Sequence, residues 1–430
     1  MNEQEKFKLS LTFSLSLGFF ANQLAWTLFD AQVPITLFQY LGSYGLVGFW
    51  MAVDTLIAII LIPIMGSVSD NTRTKYGRRM PYIMVGIPIS AIFFVLISTI
   101  NPNADPLWLL LIYMLCFYVV MMSFRAQTIA LMPDFTKPVH RNKAYSIFNL
   151  MAGIGTLLAS VLNFILVPIS LIIAFLTIAI LMIFCLIIMM LTIKEKEAYV
   201  YQQILEMEKK RGELAKREEG PFQGLVESLK YIAKSEDKSA IAILFGIFLW
   251  FCGYYALSSL FSVYAVEVLG MERGPAGSMI FFSSLPFLLM TVPAGIIATK
   301  VGRILPIKIG LTLYAIGMII GFLFQTITII IIGFIIAGIG FAFVNTLAVV
   351  ILWELVPTEK RTGTFTGIYF FAIFSGATVG PITAGFIMDL LGSATLLLIV
   401  ALFFIGGLIC MFFVKRGEAG DMEAILDIDK

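Results

Sequence analysis

Residues 66–79 read GSVSDNTRTKYGRR, and residues 295–303 read GIIATKVGR. Each stretch follows a long apolar run, begins with glycine, has a polar residue four positions later, and closes on glycine followed by arginine. The two stretches occupy the same place in the two halves of the chain, after the second and the eighth apolar run. A basic loop beside a membrane would explain the arginines alone. The shared arrangement therefore predicts a chain made of two similar halves.

The composition around these stretches is that of a membrane protein. Of the 430 residues, 60% are hydrophobic and 13% are charged, and the mean hydropathy is +0.96. A soluble domain carries about 25% charged residues. Apolar runs such as residues 171–191, which contain no charge, are long enough to cross a bilayer. The composition predicts a polytopic membrane protein and excludes a soluble enzyme, a nucleic-acid-binding protein and a secreted disulfide scaffold.

Apolar runs of about 20 residues predict an all-α protein with twelve transmembrane helices. The predicted spans are 9–30, 44–66, 81–100, 107–132, 144–166, 169–193, 239–265, 275–298, 305–324, 328–353, 363–387 and 393–414. They form two pseudo-symmetric six-helix bundles at 1–193 and 239–430, joined by a polar connector at 194–238. The connector is predicted to be a solvated helix, and a regulatory docking surface is the alternative.

Lysine and arginine predict the orientation, because short cytoplasmic loops are enriched in them. With a cytoplasmic N-terminus, 27 of the 29 lysines and arginines lie on the cytoplasmic side, all except Arg125 and Arg273. The even number of spans then places the C-terminus in the cytoplasm as well. We expect a multi-pass protein of the cell membrane, surrounded by lipid, with no nucleic-acid partner and in a monomeric state.

The cysteines and the single histidine argue against a metal or cofactor site. Four cysteines lie singly inside apolar runs, and His140 lies in a basic loop. Metal, redox and hydrolytic sites need clustered ligands or a nucleophile with a base. We therefore expect no metal, no cofactor and no enzymatic activity.

Twelve spans, the division into sixes and the residues 66–79 resemble the major facilitator superfamily. The longer form of this loop is similar to that of the glycoside–pentoside–hexuronide:cation symporter family, nearest its sucrose/maltose-type proton symporter branch. The resemblance implies a carrier for a small molecule with one central site that opens alternately to each side. The stretches that carry it are DTLI at 54–57, IPIMGSVSD at 62–70, RTKYGRRMPY at 73–82, FRA at 124–126, ALMPD at 130–134, NLMAGIG at 149–155, WFCGY at 250–254 and FSVY at 261–264.

Charged residues inside the spans are candidates for coupling, since a charge costs about 2.5–3.5 kcal/mol at the centre of a membrane helix and is usually paired or functional. Asp54 lies twelve residues before Gly66, roughly 18 Å from the end of its span. Arg125 is at a compatible depth, so we predict an ion pair that couples transport, with a purely structural pair as the alternative. Asp30 is predicted near the outer end of the first span, either as a proton or substrate contact or as an external gate or solvated helix end.

The resemblance also bears on the coupling ion. Sodium-coupled melibiose carriers have three acids in their second and fourth spans, at positions that correspond here to Ala58, Ile62 and Arg125. A sodium site made of carboxylates is therefore not expected, which favours protons or no coupling.

A sugar site needs aromatic faces for stacking and amide or acid groups for the hydroxyls, and packing is the alternative for each aromatic residue. The candidates are Gln23, Trp26, Asn149, Trp250, Tyr254, Ser258, Asn345 and Tyr369. The predicted gating residues of the two loops are Gly66, Asp70, Arg73, Gly77, Arg78, Arg79, Gly295 and Arg303. The sequence thus predicts a secondary active transporter, most favourably a proton-coupled sugar or glycoside symporter. The alternatives are an exporter or uniporter of another small organic molecule and a non-transporting membrane sensor.

Overall fold

A computed structural model describes residues 9–136, 140–211, 238–355 and 362–418, and the regular structure in these ranges is helical. The helices are α1 Leu9–Leu41, α2 Tyr44–Asp70, α3 Met80–Ser98, α4 Leu107–Phe135, α5 Arg141–Leu166, α6 Leu171–Thr192, α7 Tyr199–Arg211, α8 Ser239–Glu267, α9 Arg273–Ser278, α10 Phe281–Val301, α11 Ile304–Phe324, α12 Ile327–Glu354, α13 Thr362–Leu391 and α14 Leu396–Phe412. The part of the predicted connector at 212–237 and the tail at 419–430 lie outside the described residues.

Eleven helical segments within the described ranges are long and apolar enough to cross a membrane, and α9 and α10 together form one of them. The first helix, α1, is not among the eleven, although its 33 residues are long enough to cross. Polar residues such as Asn22, Gln23, Asp30 and Gln32 dilute its apolar character. The protein is therefore a multi-pass membrane protein.

The first span is longer than predicted, and this corrects the position of Asp30. The sequence predicts an end at residue 30, whereas α1 passes through Pro34 and continues to Leu41. Proline removes one backbone hydrogen bond, but a membrane helix tolerates it where neighbouring groups compensate. Asp30 consequently lies eleven residues before the end of α1, about 16 Å along the helix axis. It is not at a helix end.

The chain forms two compact units. The first contains residues 1–33 and 57–218, and in it α3 packs against α4 and α6. The second contains residues 34–56 and 219–430, and in it α8 packs against α13 and α14, and α11 packs against α12. Glycine permits the last contact, because a Cβ at Gly317 would overlap the carbonyl oxygen of Gly333. The predicted domain boundaries at 193 and 239 remain predictions.

Candidate functional site

The loop between α2 and α3 is a tight turn that closes the end of α2. Nη1 of Arg73 donates to the backbone carbonyl oxygens of Asp70 and Thr72, at 2.6 and 2.8 Å. These carbonyls belong to the last turn of the helix and its exit, where no amide of the helix can reach them. Thr74 and Gly77 exchange backbone hydrogen bonds of 3.2 Å. Gly77 has a φ of +113°, a left-handed conformation that favours glycine.

Two buried arginines follow this turn and bind two aspartates. Arg78 and Arg79 are only 4% and 6% exposed. Nη2 of Arg78 donates to Oδ1 of Asp134 at 2.6 Å, and its Nε donates to Oδ2 at 3.2 Å, so the pair is bidentate. Nη2 of Arg79 donates to Oδ1 of Asp70 at 2.6 Å. Asp70 therefore accepts a bond from arginine, and the two cations are balanced by two carboxylates. Its role in gating remains a prediction.

A third carboxylate, Glu195, closes the beginning of α3. It lies just after α6 and is almost fully buried. Its two oxygens accept the backbone amides of Arg78, Arg79 and Met80 at 2.8–3.0 Å. No side chain caps α3 from its own N-cap position, so an anion brought from α6 satisfies the amides and the helix dipole. Burial is the main cause of the raised pKa of Glu195, against which the three backbone hydrogen bonds act.

The second half of the chain repeats this cap. Glu418, which follows α14, accepts the backbone amides of Arg303 and Ile304 at 2.6 and 3.0 Å. Gly302 has a φ of +84°, and a Cβ there would lie 2.8 Å from Oε2 of Glu418. A Cβ at Gly77 would overlap Oε2 of Glu195 in the same way. In each half, the glycine before the arginine makes room for a glutamate from the end of the last helix of that half.

Neither Glu195 nor Glu418 was identified from the sequence. Each is the first acidic residue after the sixth or the twelfth predicted span, and this shared position is the signal that was missed.

Two other glycines of these loops, Gly66 and Gly295, are also among the predicted gating residues. A Cβ at either position meets no described atom within 4 Å. The close contacts of these loops are made by Gly77 and Gly302, the glycines that directly precede the arginines.

The predicted coupling residues are distributed over both units. Asp30 and Arg125 lie in the first unit and are half-buried. Asp54 lies in the second unit, where its Oδ1 accepts the amide and the hydroxyl of Thr55 at 2.6 and 3.0 Å. The Asp54–Arg125 ion pair joins residues of different units and remains a prediction.

The candidate solute contacts fall into two groups. The tryptophans are packed: Trp26 is buried and stacks on Tyr118, with ring centroids 6.0 Å apart, and Trp250 is fully buried where Gly246 and Gly407 approach it. For these two, the structure favours packing over solute contact. Tyr369 is also buried. The other five are at least partly accessible: Gln23, Asn149, Tyr254, Ser258 and Asn345.

Tyr254 is the best-supported aromatic candidate, because it is half-buried and its ring stacks on Phe341 with centroids 4.6 Å apart. An aromatic pair of this kind presents a rigid surface.

The structure also shows several buried amides in the first compact unit. Nε2 of Gln32 donates to Oδ1 of Asn163 at 2.9 Å, and both residues are buried. Nε2 of Gln127 donates to the carbonyl oxygen of Met65 at 2.8 Å. Asn22, four residues before Trp26 on α1, is buried with neither amide atom bonded to any described residue. Such groups are rare in protein interiors, because an unpaired buried amide costs about 1–3 kcal/mol.

Comparison with protein families gives one matching model, described as the Major Facilitator Superfamily. It matches residues 15–285 and 273–424, which together span nearly the whole chain.

Two curated proteins match a short part of the chain. Lactose permease from Lactobacillus helveticus is 25% identical over 116 residues, which are 26% of this chain and 18% of that protein. Human solute carrier family 45 member 3 is 30% identical over 119 residues, which are 24% of this chain and 21% of that protein. The match thus spans only about a fifth of the length of each of these relatives.

Solved structures show the same fold over almost the whole chain. A crystal structure of the nucleoside transporter NupG has a TM-score of 0.74 at 12% identity, covering 94% of this chain and all of that one. A bacterial homologue of the human lysosomal transporter Spinster has a TM-score of 0.66 at 14% identity, covering 97% of this chain and 96% of that one. At these identities the likeness establishes the fold alone.

Proposed function

Because the chain belongs to the Major Facilitator Superfamily, we propose that it is a secondary active transporter that moves a sugar or glycoside together with protons by alternating access. The observation that carries the proposal is the repeated cap, in which Glu195 and Glu418 hold the turns at Gly77 and Gly302. A repeat of this kind is typical of carriers built from two similar halves.

Three observations support a sugar as the substrate. The sequence of the α2–α3 loop resembles that of glycoside symporters, and one relative with a short match is a lactose permease. Partly accessible amides and a stacked tyrosine, among them Gln23, Asn345 and Tyr254, offer the hydrogen bonds and the flat surface that a pyranose needs.

The proposal of proton coupling rests on the residues that stand where sodium-coupled carriers have acids. Ala58 is buried and Ile62 is half-buried. Both side chains are hydrocarbon, so neither offers a side-chain oxygen to sodium. Among the described residues, no three or more histidine, cysteine, aspartate or glutamate side chains are grouped so that they could hold a metal ion. Asp54 is the acid that we propose to exchange a proton, with Arg125 as its charge partner, and Asp30 is a second candidate for a proton contact.

The orientation is part of the same proposal. The caps at Arg78 and Arg303 lie at helix ends that carry the basic residues, and basic loops are retained in the cytoplasm. We place these ends and both termini in the cytoplasm and assign the first and the last six spans to two bundles. The opposite helix ends, such as the beginning of α2, are then on the outer side.

Counterflow in proteoliposomes tests the proposal, since it needs no gradient of ions. Vesicles loaded with one unlabelled sugar of a panel are diluted into a trace of the same sugar in labelled form, and transient accumulation identifies a substrate. Protein-free vesicles are the control. We expect accumulation with at least one sugar or glycoside. Accumulation only with non-sugar solutes would favour the alternative of a uniporter or exporter of another small molecule, and none with any solute would favour a sensor.

A further inference from the structure

Asp389, near the end of α13, binds the beginning of α2 through three hydrogen bonds, all inside the second compact unit. Its Oδ2 accepts the hydroxyl of Ser43 at 2.6 Å and the amide of Gly45 at 2.9 Å, and its Oδ1 accepts the amide of Tyr44 at 2.8 Å. The first amides of a helix have no partner inside it, and its dipole favours an anion there. A carboxylate from another helix therefore caps α2.

The two helices are in backbone contact next to this cap. A Cβ at Gly48 would overlap the carbonyl oxygen of Pro381, and a Cβ at Gly45 would overlap the ring of Phe386. Larger residues would push α2 and α13 apart. A separate bond fastens the end of α1, where Nη2 of Arg273 donates to Oγ1 of Thr36 at 2.7 Å.

These contacts lie where the two compact units divide α1 and α2. Each of the two helices is unbroken, yet residues 34–56 belong to the second unit while the rest of both helices belongs to the first. One end of each helix is thus held by the second half of the chain. Under the orientation proposed above, the held ends are the outer ones. A carrier that opens to the outside has to release them.

We propose that Asp389 is the positioning residue of an outer latch, which holds the beginning of α2 against α13 and releases it when the carrier opens outward. This inference rests on the proposed transport function. Asp389 is exposed, so water replaces the three lost hydrogen bonds when the latch opens. Opening therefore costs only the difference in free energy between hydrogen bonds to the protein and hydrogen bonds to water. Charge-assisted bonds are strong enough to bias two states by that difference. The contact is therefore suited to break in every cycle.

The test uses thiol accessibility and needs no substrate. Ala52 lies one turn beyond Gly48 on the same face of α2 and is almost fully buried. In a chain whose native cysteines are replaced by alanine, Ala52→Cys reports opening when a membrane-impermeant maleimide is added from outside. We expect Asp389→Ala to raise the labelling rate on the order of tenfold, the equivalent of about 1.4 kcal/mol. Ser43→Ala removes one bond of three and should raise the rate less.

The matched control is Asp105→Ala. Asp105 is also a carboxylate in a loop on the proposed outer side, but it accepts the amide of Asn101 within its own loop, at 2.8 Å. Its removal should leave the labelling rate unchanged. If Asp389→Ala does not fold, the labelling rate of Ser43→Ala alone decides whether the latch exists. Labelling at the parent rate in the folded Asp389 and Ser43 variants would overturn the latch. Failure of every sugar in counterflow would overturn the proposal of a sugar substrate, and failure of every solute would overturn the transport proposal; neither result would change the accessibility result.

Discussion

Asp134→Asn is the substitution that most directly tests the charge network behind the α2–α3 loop. The side chain of Asp134 is 8% exposed and accepts the bidentate pair from Arg78. After the substitution, the strongest remaining contact of Arg78 with a carboxylate is a 3.3 Å bond to Asp70, whose side chain is 36% exposed. Removing one partner of a buried ion pair typically costs about 3–5 kcal/mol, because the other charge stays buried. The amide keeps one acceptor oxygen, so we expect a loss near the lower limit, about 3 kcal/mol.

The assay is thermal stability of the purified protein in detergent, measured as the fraction that remains monodisperse after heating. Arg78→Gln combined with Asp134→Asn should be more stable than either single variant, because the double variant leaves no uncompensated buried charge. The control is Glu197→Gln, which removes a pair with Lys194 whose two side chains are 72% and 76% exposed. Such surface pairs contribute little. The reasoning would be refuted if Asp134→Asn melts at the same temperature as the parent protein, or if the double variant is less stable than both single variants.

Three further predictions follow from the same geometry. Burial raises the pKa of Glu195, so the protonated glutamate stabilises the folded state. This stabilisation is complete below the ordinary pKa of 4.5 and is lost as the pH rises through the raised value. Glu195→Gln should flatten that part of the curve of melting temperature against pH, and an unchanged curve would show that Glu195 does not titrate there. Asp54→Asn and Arg125→Gln should each abolish accumulation of substrate, measured as uptake in proteoliposomes with an inward proton gradient, because the proton-exchanging acid or its charge partner is lost; accumulation at the parent level in Asp54→Asn would show that this acid is not needed. Asp70→Asn should slow turnover in counterflow while equilibrium binding of the substrate survives, since only one conformational state loses the bond to Arg79, and turnover at the parent rate would make the loop a topological anchor only.

The membrane-spanning helices could be predicted from the sequence because each apolar run is a local signal. The runs from 171 to 191 and from 107 to 132 coincide closely with α6 and α4. The end of α1 could not be predicted in the same way. Polar residues and Pro34 interrupt the apolar pattern there. In the structure the helix nevertheless continues to Leu41, and its last residues belong to the second unit. For that reason Asp30 lies within α1 and not at its end.

The candidate site was predictable where its partners are close in sequence. Asp70 and Arg79 are nine residues apart, and their contact follows from the loop itself. Glu195 and Met80 are 115 residues apart, and nothing local relates one glutamate of a polar connector to the beginning of a distant helix. The same holds for Asp389 and the beginning of α2. Capping by a distant carboxylate depends on tertiary structure, and a periodicity does not reveal it.

The most direct test of the proposed transport mechanism is proton movement driven by the solute. Proteoliposomes without any ion gradient, in a weakly buffered medium, receive the sugar identified by counterflow, and the external pH is recorded. We predict that the medium becomes more alkaline as protons enter with the sugar, with equal amplitude in the presence and absence of sodium, and that Asp54→Asn abolishes the signal. Sugar entry without a pH change, or entry that requires sodium, would contradict proton-coupled symport.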